Sequence, residues 1–348
     1  MSKSRRKFLK NTTKFLAGSA LTPWYSILIK NEQLSDFTIG HGTHQYKVDL
    51  NWGALNTNFY PVKDCHEMVQ DSQGRIILLT NETKNNILIY DQSGKLLDSW
   101  GHQYPGAHGL TISDEGGEEF LYITDNERHE MIKTTLDGRE VMTLNWPKES
   151  ELYEKAAEYI PTETAIAPNG DIYVADGYGK QYILHYDANG ELKNTFGGRG
   201  EGENHFDNAH GICLDTRSSK PSLLITARQR NQLKRFSLKG KHKETIDLPG
   251  AYICRPVVDD QNVYLAVLIS KTPWDSQSGY VCILDENNQV ISNPGGSTPR
   301  YKGKQLQKMY QTLKVFQHPH DVCVDQDKNL YVAQWNSGNS YPIKLVRV

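Results

Sequence analysis

One short phrase is written four times along the chain: Cys65-His66-Glu67-Met68, Ala107-His108-Gly109-Leu110, Ala209-His210-Gly211-Ile212 and Pro319-His320-Asp321-Val322. Each copy opens a similar passage. A short apolar stretch follows the His, then a Gly/Asn/Asp turn, then an aromatic-apolar strand such as Leu121–Asp125, Ile172–Asp176 or Leu330–Ala333. Strand–turn–strand units recur roughly every 40 to 55 residues, the range of propeller blades. The N-G, S-G and D-G turns between alternating strands are meander signals.

Six units can be marked. They run Cys65–Trp100, about Pro105–Leu144, Pro161–Phe196, Phe206 to about Ile246, a fifth from near Tyr252 that includes Val263–Leu268 and Tyr280–Leu284, and Pro319–Val348. The sixth ends one strand short, at Tyr341–Val348. The stretch Tyr46–Gly53 resembles Lys95–Gly101, the outer strand of the first unit. The expectation is an all-β, six-bladed β-propeller over residues 44–348, in which the N-terminal strand completes the last blade and closes the ring. Closure removes the exposed strand edges that invite aggregation. Pro147–Tyr159 and Lys302–Lys314 break the β pattern and read as two short helical insertions on one face, where binding determinants often lie.

At 348 residues the chain is long enough to bury a sizeable core. A formal net charge of −2 gives no reason to expect nucleic acid or an anionic membrane surface as partner. The five cysteines, Cys65, Cys213, Cys254, Cys282 and Cys323, are scattered without a CxxC pair. A cysteine-only zinc site is therefore not expected, and they read as small buried apolar groups.

The N-terminus reads Ser4-Arg5-Arg6-Lys7-Phe8-Leu9-Lys10, a twin-arginine export signal, followed by a mildly apolar run, Phe15–Ile29, too weak for a stable membrane span. Residues 1–35 are set apart as a signal region. The twin-arginine export machinery is the expected partner and the periplasm, or another exported location, the expected destination. A monomer is expected.

The innermost strand of each blade lines the channel of a propeller. His108, His210 and His320 fall in blades two, four and six, separated by 102 and 110 residues, two blades each time. Alternate blades of a six-fold ring are a third of a turn apart, so the three imidazoles should converge on the axis. Three neutral imidazoles with a fourth position open is the ligand set of catalytic zinc. The cofactor expected is Zn2+ or another divalent metal, with His108, His210 and His320 as ligands. His66, on blade one, lies off this symmetry and reads as a supporting or substrate contact, or as plain channel lining. Two further residues bear on the chemistry. Tyr178, in Asp176-Gly177-Tyr178-Gly179, sits in a turn that can aim its hydroxyl into the channel mouth, where a metal or Arg can lower its pKa towards that of a general base. Arg228 occupies the matching turn of blade four and suits a carboxylate or developing oxyanion.

These residues resemble a known family. The six-unit layout is similar to NHL-type propellers, and most similar to the lyase domain of peptidylglycine amidating enzymes, peptidyl-α-hydroxyglycine α-amidating lyase. The likeness spans most of residues 55–348 and is best in Pro161-Thr162-Glu163 through Tyr178, in Phe206–Gly211 and in Pro319-His320-Asp321. It implies zinc on His108, His210 and His320, Tyr178 as base, Arg228 as a catalytic group, and a peptide-like or small-molecule substrate whose carbinolamide C–N bond breaks to an amide and glyoxylate. The chain departs from the family in three places. Thr80–Lys84 lacks the family's Arg in the blade-one turn, His318 stands where the family has Met, and Ile160 and Gly179 replace a pair of cysteines. His318 is accordingly read with His66 as a substrate contact. Two other readings stay open at this point. One is a non-catalytic NHL propeller that binds a ligand or protein. The other is a metal-dependent enzyme on carbohydrate, with some of the six Trp as sugar platforms.

Overall fold

The computed structural model describes residues 38–270 and 277–348. Six antiparallel sheets, five of four strands and the last of five, follow one another, each entered by its innermost strand. The inner strands are Cys65–Gln70, Ala107–Asp114, Glu163–Ile166, Ile212–Asp215, Tyr252–Asp259 and Pro319–Val324. The second strand of each blade is sandwiched between neighbouring blades and is buried along nearly all its length, as in Ile76–Thr80 and Ser222–Ala227. The outermost strands, such as Leu96–Trp100, stay partly exposed, so apolar character fades from axis to rim. Apolar clusters fill the space between adjacent blades; Ala165, Tyr173 and Ile183 of blade three, for example, pack with Ile212, Leu223 and Phe236 of blade four.

The turns are built by one recurring device. An Asp begins the turn and its carboxylate accepts backbone N–H groups two and four residues on, as Asp91 does from Ser93 and Lys95 and Asp187 from Asn189 and Glu191. The carboxylate thus replaces the ladder bonds lost at the end of the strand. The Gly that follows, Gly94 at φ +91°, takes the left-handed backbone that closes the turn.

Closure of the ring follows the expected route. His44–Asp49 pairs antiparallel with Ile343–Arg347, with Tyr46 opposite Arg347 and Val48 opposite Leu345. The likeness of Trp52 to Trp100 has a structural counterpart. Trp100 Nε1 donates to the Leu136 carbonyl in a turn of blade two, and Trp52 Nε1 donates to the Gln92 carbonyl in the equivalent turn of blade one, each at 3.0 Å. Thr38–His41 adds a fifth strand outside it, so the described fold begins earlier than residue 44.

The two helical expectations are corrected. Segment 147–159 holds only two 3-10 turns, Lys148–Ser150 and Ala156–Glu158. It buries Tyr153 and Tyr159, six residues apart, which a helix would place on different faces. Segment 302–314 contains no helix. Tyr301–Lys302 and Gln305–Leu306 form a small hairpin, and backbone bonds from Met309 to Pro249 and from Thr312 to Gly295 hold the rest against the ring. Among the described residues no helix is long and apolar enough to cross a membrane. The signal expected at residues 1–35 lies outside the described residues.

Candidate metal centre

The repeated His is placed by a break in strand pairing. In blade one Cys65 pairs with Thr80 and Glu67 with Leu79, so His66 is an extra residue in a bulge. His108 is the extra residue between the Ala107–Asp125 and Gly109–Thr124 pairs, and His320 between Pro319–Gln334 and Asp321–Ala333. A regular strand sends successive side chains to opposite faces; a bulge re-aims them. Both the His and the residue after it therefore turn toward the axis. The six equivalent positions, from blade one to blade six, are His66, His108, Thr162, His210, Cys254 and His320, all buried.

Four imidazoles meet there. The ring centroids of His108, His210 and His320 are 4.8, 4.9 and 4.9 Å apart, a near-equilateral triangle. His66, which the blade count sets apart, is not apart in space: its ring lies 4.8 Å from both His108 and His320. Ligand atoms of His66, His108 and His320 lie within 4.8 Å of one another, as do those of His210, Cys254 and His320. These groups can hold a metal ion.

The protonation states suit one. Burial pushes all four imidazoles below their ordinary value of 6.5, His66 to about 3, with the neighbouring cationic groups adding to the effect. They are therefore neutral, as metal ligation requires. Backbone carbonyls fix two of the rings: His108 Nδ1 donates to Thr162 O at 2.8 Å and His320 Nδ1 to His66 O at 3.0 Å. A carbonyl only accepts, so Nδ1 of each carries the hydrogen and Nε2 is left with its lone pair. His66 Nδ1 and His210 Nδ1 are buried without a hydrogen-bond partner. Cys254 is a less suitable ligand, since burial raises its thiol to about 11.

Tyr178 is 39% exposed as a residue, but its hydroxyl points inward, 3.2 Å from His108 Nε2 and 3.1 Å from His210 Nε2. Because His108 Nε2 has only a lone pair to offer, the hydroxyl hydrogen goes there, and His210 Nε2–H donates back to the Tyr178 oxygen. The turn that carries Tyr178 is tightly held. The Asp176 carboxylate accepts from Ile160 N–H, Lys180 N–H and the Tyr153 hydroxyl. Gly177 is needed for close approach, since a Cβ there would stand 2.3 Å from Ala209 O. Gln181 ties this turn to the His210 strand, donating to Gly177 O at 2.9 Å and accepting from Ala209 N–H at 2.7 Å.

Arg228 opens the 3-10 turn Arg228–Arg230 and is buried, its Nε donating to Ile253 O at 3.3 Å and its guanidinium 3.6 Å from Cys254 Sγ. The expectation that Tyr178 is acidified is corrected for the protein alone. Burial raises its pKa, and Arg228 opposes that rise without reversing it. His318 is placed differently from the other histidines. It is buried, with Nδ1 donating to the Trp335 and Asn336 carbonyls and Nε2 accepting from Gln277 N–H at 2.9 Å.

A second layer crosses the channel one residue further along each inner strand. Arg255 of blade five donates to both Asp321 oxygens, at 3.0 and 2.7 Å, and to the Leu110 and Met68 carbonyls, at 2.7 and 3.0 Å. Its guanidinium also lies 3.5 Å from Glu67 and 3.9 Å from Glu163. Burial raises Glu67 well above the ordinary carboxylate value, and the adjoining Glu163 carboxylate adds to it; Glu163 is raised by burial as well, with the hydrogen bond from Glu67 opposing. Both directions favour a proton held between the two carboxyls, with Glu67 the more strongly raised. Beyond this layer a cavity of about 450 Å3 is lined by Met68, Thr111, Thr164, Ile212, Val257 and Val324, one from each blade.

No family model matches the chain. A peptidyl-alpha-hydroxyglycine alpha-amidating lyase from Drosophila melanogaster is 27% identical over 266 residues, 70% of this chain and 46% of the relative. A probable enzyme of the same name from Caenorhabditis elegans is 32% identical over 116 residues, 33% of this chain and 31% of the relative. NHL repeat-containing protein 3 from Homo sapiens is 23% identical over 180 residues, 49% of this chain and 51% of the relative. The chain thus spans about half or less of the length of these relatives. Among solved structures, a streptogramin B lyase aligns with TM-score 0.55 at 15% identity, covering 82% of this chain and 94% of that one. A gluconolactonase from Xanthomonas campestris aligns with TM-score 0.56 at 12% identity, covering 83% and 87%. The solved structures speak to the fold alone. By sequence the chain is similar to amidating lyases and to an NHL repeat-containing protein.

Proposed function

We propose that the protein is an exported, zinc-dependent lyase that breaks the C–N bond of an α-hydroxyglycine-type carbinolamide. The observation that carries this reading is the placement of the Tyr178 hydroxyl against His108 and His210, inside a cluster of four neutral imidazoles and beside a buried Arg228. The relatives named as amidating lyases supply the substrate class. Export rests on the Arg5-Arg6 motif in the sequence.

His108, His210 and His320 would hold the ion. Bound there, a divalent cation favours the ionised form of an adjacent phenol and polarises a substrate oxygen. Tyr178 takes the proton of the substrate hydroxyl. The former O–H electron pair forms the carbonyl of glyoxylate, the C–N bond breaks, and its electron pair stays on nitrogen. Tyr178 then returns the proton to that nitrogen, so the products are an amide and glyoxylate with no other reactant consumed. The fixed positive charge of Arg228 suits the substrate carboxylate. The carbohydrate reading is weakened by Trp52 and Trp100, whose indoles are committed to turns between blades.

The test is glyoxylate release from a synthetic peptidyl-α-hydroxyglycine by the zinc-loaded full chain. Activity that falls roughly a hundredfold or more in Tyr178→Phe, with zinc still bound, supports the reading. An inactive wild type, or a fully active Tyr178→Phe, overturns it.

A further inference from the structure

We propose that His66 is a fourth ligand of the same metal ion, which makes this centre a four-imidazole site. The inference rests on the metal-dependent reading above and deepens it. The rings form a rhombus of two triangles, His66–His108–His320 and His108–His210–His320, sharing the His108–His320 edge; the four sides and the shared edge all measure 4.8 or 4.9 Å. Ring separation favours neither triangle, but the ligand atoms of the second are not all within 4.8 Å of one another. The first is one of the groups whose ligand atoms fall within 4.8 Å of one another.

The backbone treats His66 as it treats the other two bulge histidines. His66, His108 and His320 each occupy the extra position of an inner-strand bulge, so one local device delivers all three to one level of the channel. The His66 main chain is part of the support for the site, because its carbonyl receives the Nδ1–H of His320. The His66 side chain is different. It is buried, yet its own Nδ1 has no hydrogen-bond partner. A lining imidazole in a folded interior finds a carbonyl or hydroxyl; one held for a ligand keeps a nitrogen free. At the opposite corner His210 Nδ1 is unpartnered in the same way.

The consequence concerns the kind of metal. Three imidazoles on a four-coordinate ion leave one position open. Four leave room for substrate only on an ion that accepts five or six ligands, and divalent cobalt, nickel or iron does so readily. His66 would therefore bias the centre toward higher coordination, with two positions free for a substrate that offers both a hydroxyl and a carboxylate.

The test uses the full-length protein and Co2+ alone, without substrate. Chelator competition gives the affinity and the visible spectrum reports coordination number. His66→Ala should weaken Co2+ binding roughly a hundredfold, the upper end of what loss of a supporting residue causes. Its spectrum should shift to the stronger absorption of a lower-coordinate ion. X-ray absorption on the Co2+-loaded wild type should count four imidazoles, a measurement that does not depend on how the variant folds. Three imidazoles in the wild type, or unchanged affinity and spectrum in His66→Ala, overturns the inference. If His66→Ala keeps the wild-type metal site but loses lyase activity, His66 is a substrate contact; the four-ligand inference then falls and the lyase reading stands. A wild type that takes up no metal overturns both.

Discussion

Two layers cross the channel one residue apart in sequence, and they deal with burial in opposite ways. The outer layer is made of His66, His108, His210 and His320, all neutral, two of them with an unpartnered ring nitrogen. The inner layer is made of Glu67, Glu163, Arg255 and Asp321, where one guanidinium faces three carboxyls and burial with mutual repulsion raises the pKa of Glu67 toward the neutral form. A buried polar group without a partner costs free energy that packing does not return. In the inner layer Glu67 Oε1 and Glu163 Oε2 are also unpartnered, but a single proton between them offsets that cost without any ligand. The outer layer leaves it outstanding, which is what a site awaiting a ligand does and a structural plug does not. The glycines of the two remaining blades keep the inner layer compact, since a Cβ on Gly109 would stand 2.5 Å from Thr162 O and one on Gly211 2.5 Å from Arg255 Cα.

The largest expected effect tests the inner layer. Arg255→Met removes the guanidinium that faces three buried carboxyls and leaves the Leu110 and Met68 carbonyls without their donor. Breaking a buried ion cluster in this way costs about 3–5 kcal/mol. Urea unfolding should show that loss with or without metal. A loss below about 1 kcal/mol would make the inner layer ornamental and break the comparison. Metal should act on the outer layer alone. Zinc at a hundredfold excess over its dissociation constant should stabilise the wild type by about 2.7 kcal/mol. His210→Ala should lose most of that gain; if Arg255→Met folds, it should keep it.

The layers should also titrate against each other in the metal-free protein. The histidines have folded pKa values below the ordinary 6.5, so the unfolded chain binds more protons below that pH. Their contribution is full above pH 6.5 and is lost as pH falls below it, at up to about 1.4 kcal/mol per unit for each imidazole. Glu67 and Glu163 are shifted the other way, above 4.5, so the folded state holds more protons and stability returns as pH falls toward that value. Unfolding free energies measured from pH 8 to 4 should therefore show a net acid loss that sets in near pH 6.5, since four imidazoles outweigh the carboxyls. Stability that stays flat down to pH 5 would mean that the imidazoles are not held neutral by burial.

Much of this was legible in the sequence. The blades are written in Asp-x-x-Gly turns and alternating strands, and the closing strand is signalled by the likeness of Tyr46–Gly53 to Lys95–Gly101, because both end in a Trp that reaches a neighbouring turn. The histidine level was legible because a repeat puts equivalent residues at equivalent heights. The helices were misread because local composition favoured them, while tertiary contacts decided: Tyr153 had to reach Asp176, and Met309 had to reach Pro249. Arg255 was overlooked because blade five lacks the His that marks the phrase. Its signal was one position later, where the six blades read Glu67, Gly109, Glu163, Gly211, Arg255 and Asp321. Gln181 left no signal, since its role as a tie between two turns depends on contacts that no repeat encodes.

The smallest expected effect is the sharpest on the inner layer. Glu67→Gln is nearly isosteric with the protonated acid, and its amide can still donate to Glu163 and accept from Leu110 N–H, the bond Glu67 makes at 2.6 Å. The packing and the Arg255 contacts should survive, so the change at pH 5 should stay within about 1 kcal/mol. What is lost is one proton's worth of pH dependence. Glu67→Gln should be the more stable protein at pH 8, where the wild type must hold a carboxyl protonated against the solvent, and should fall more steeply below pH 6.5 because the histidines then titrate with less opposition. Curves for the two proteins that run parallel from pH 8 to 4 would place the shared proton elsewhere and leave the contrast between the layers resting on hydrogen bonding alone.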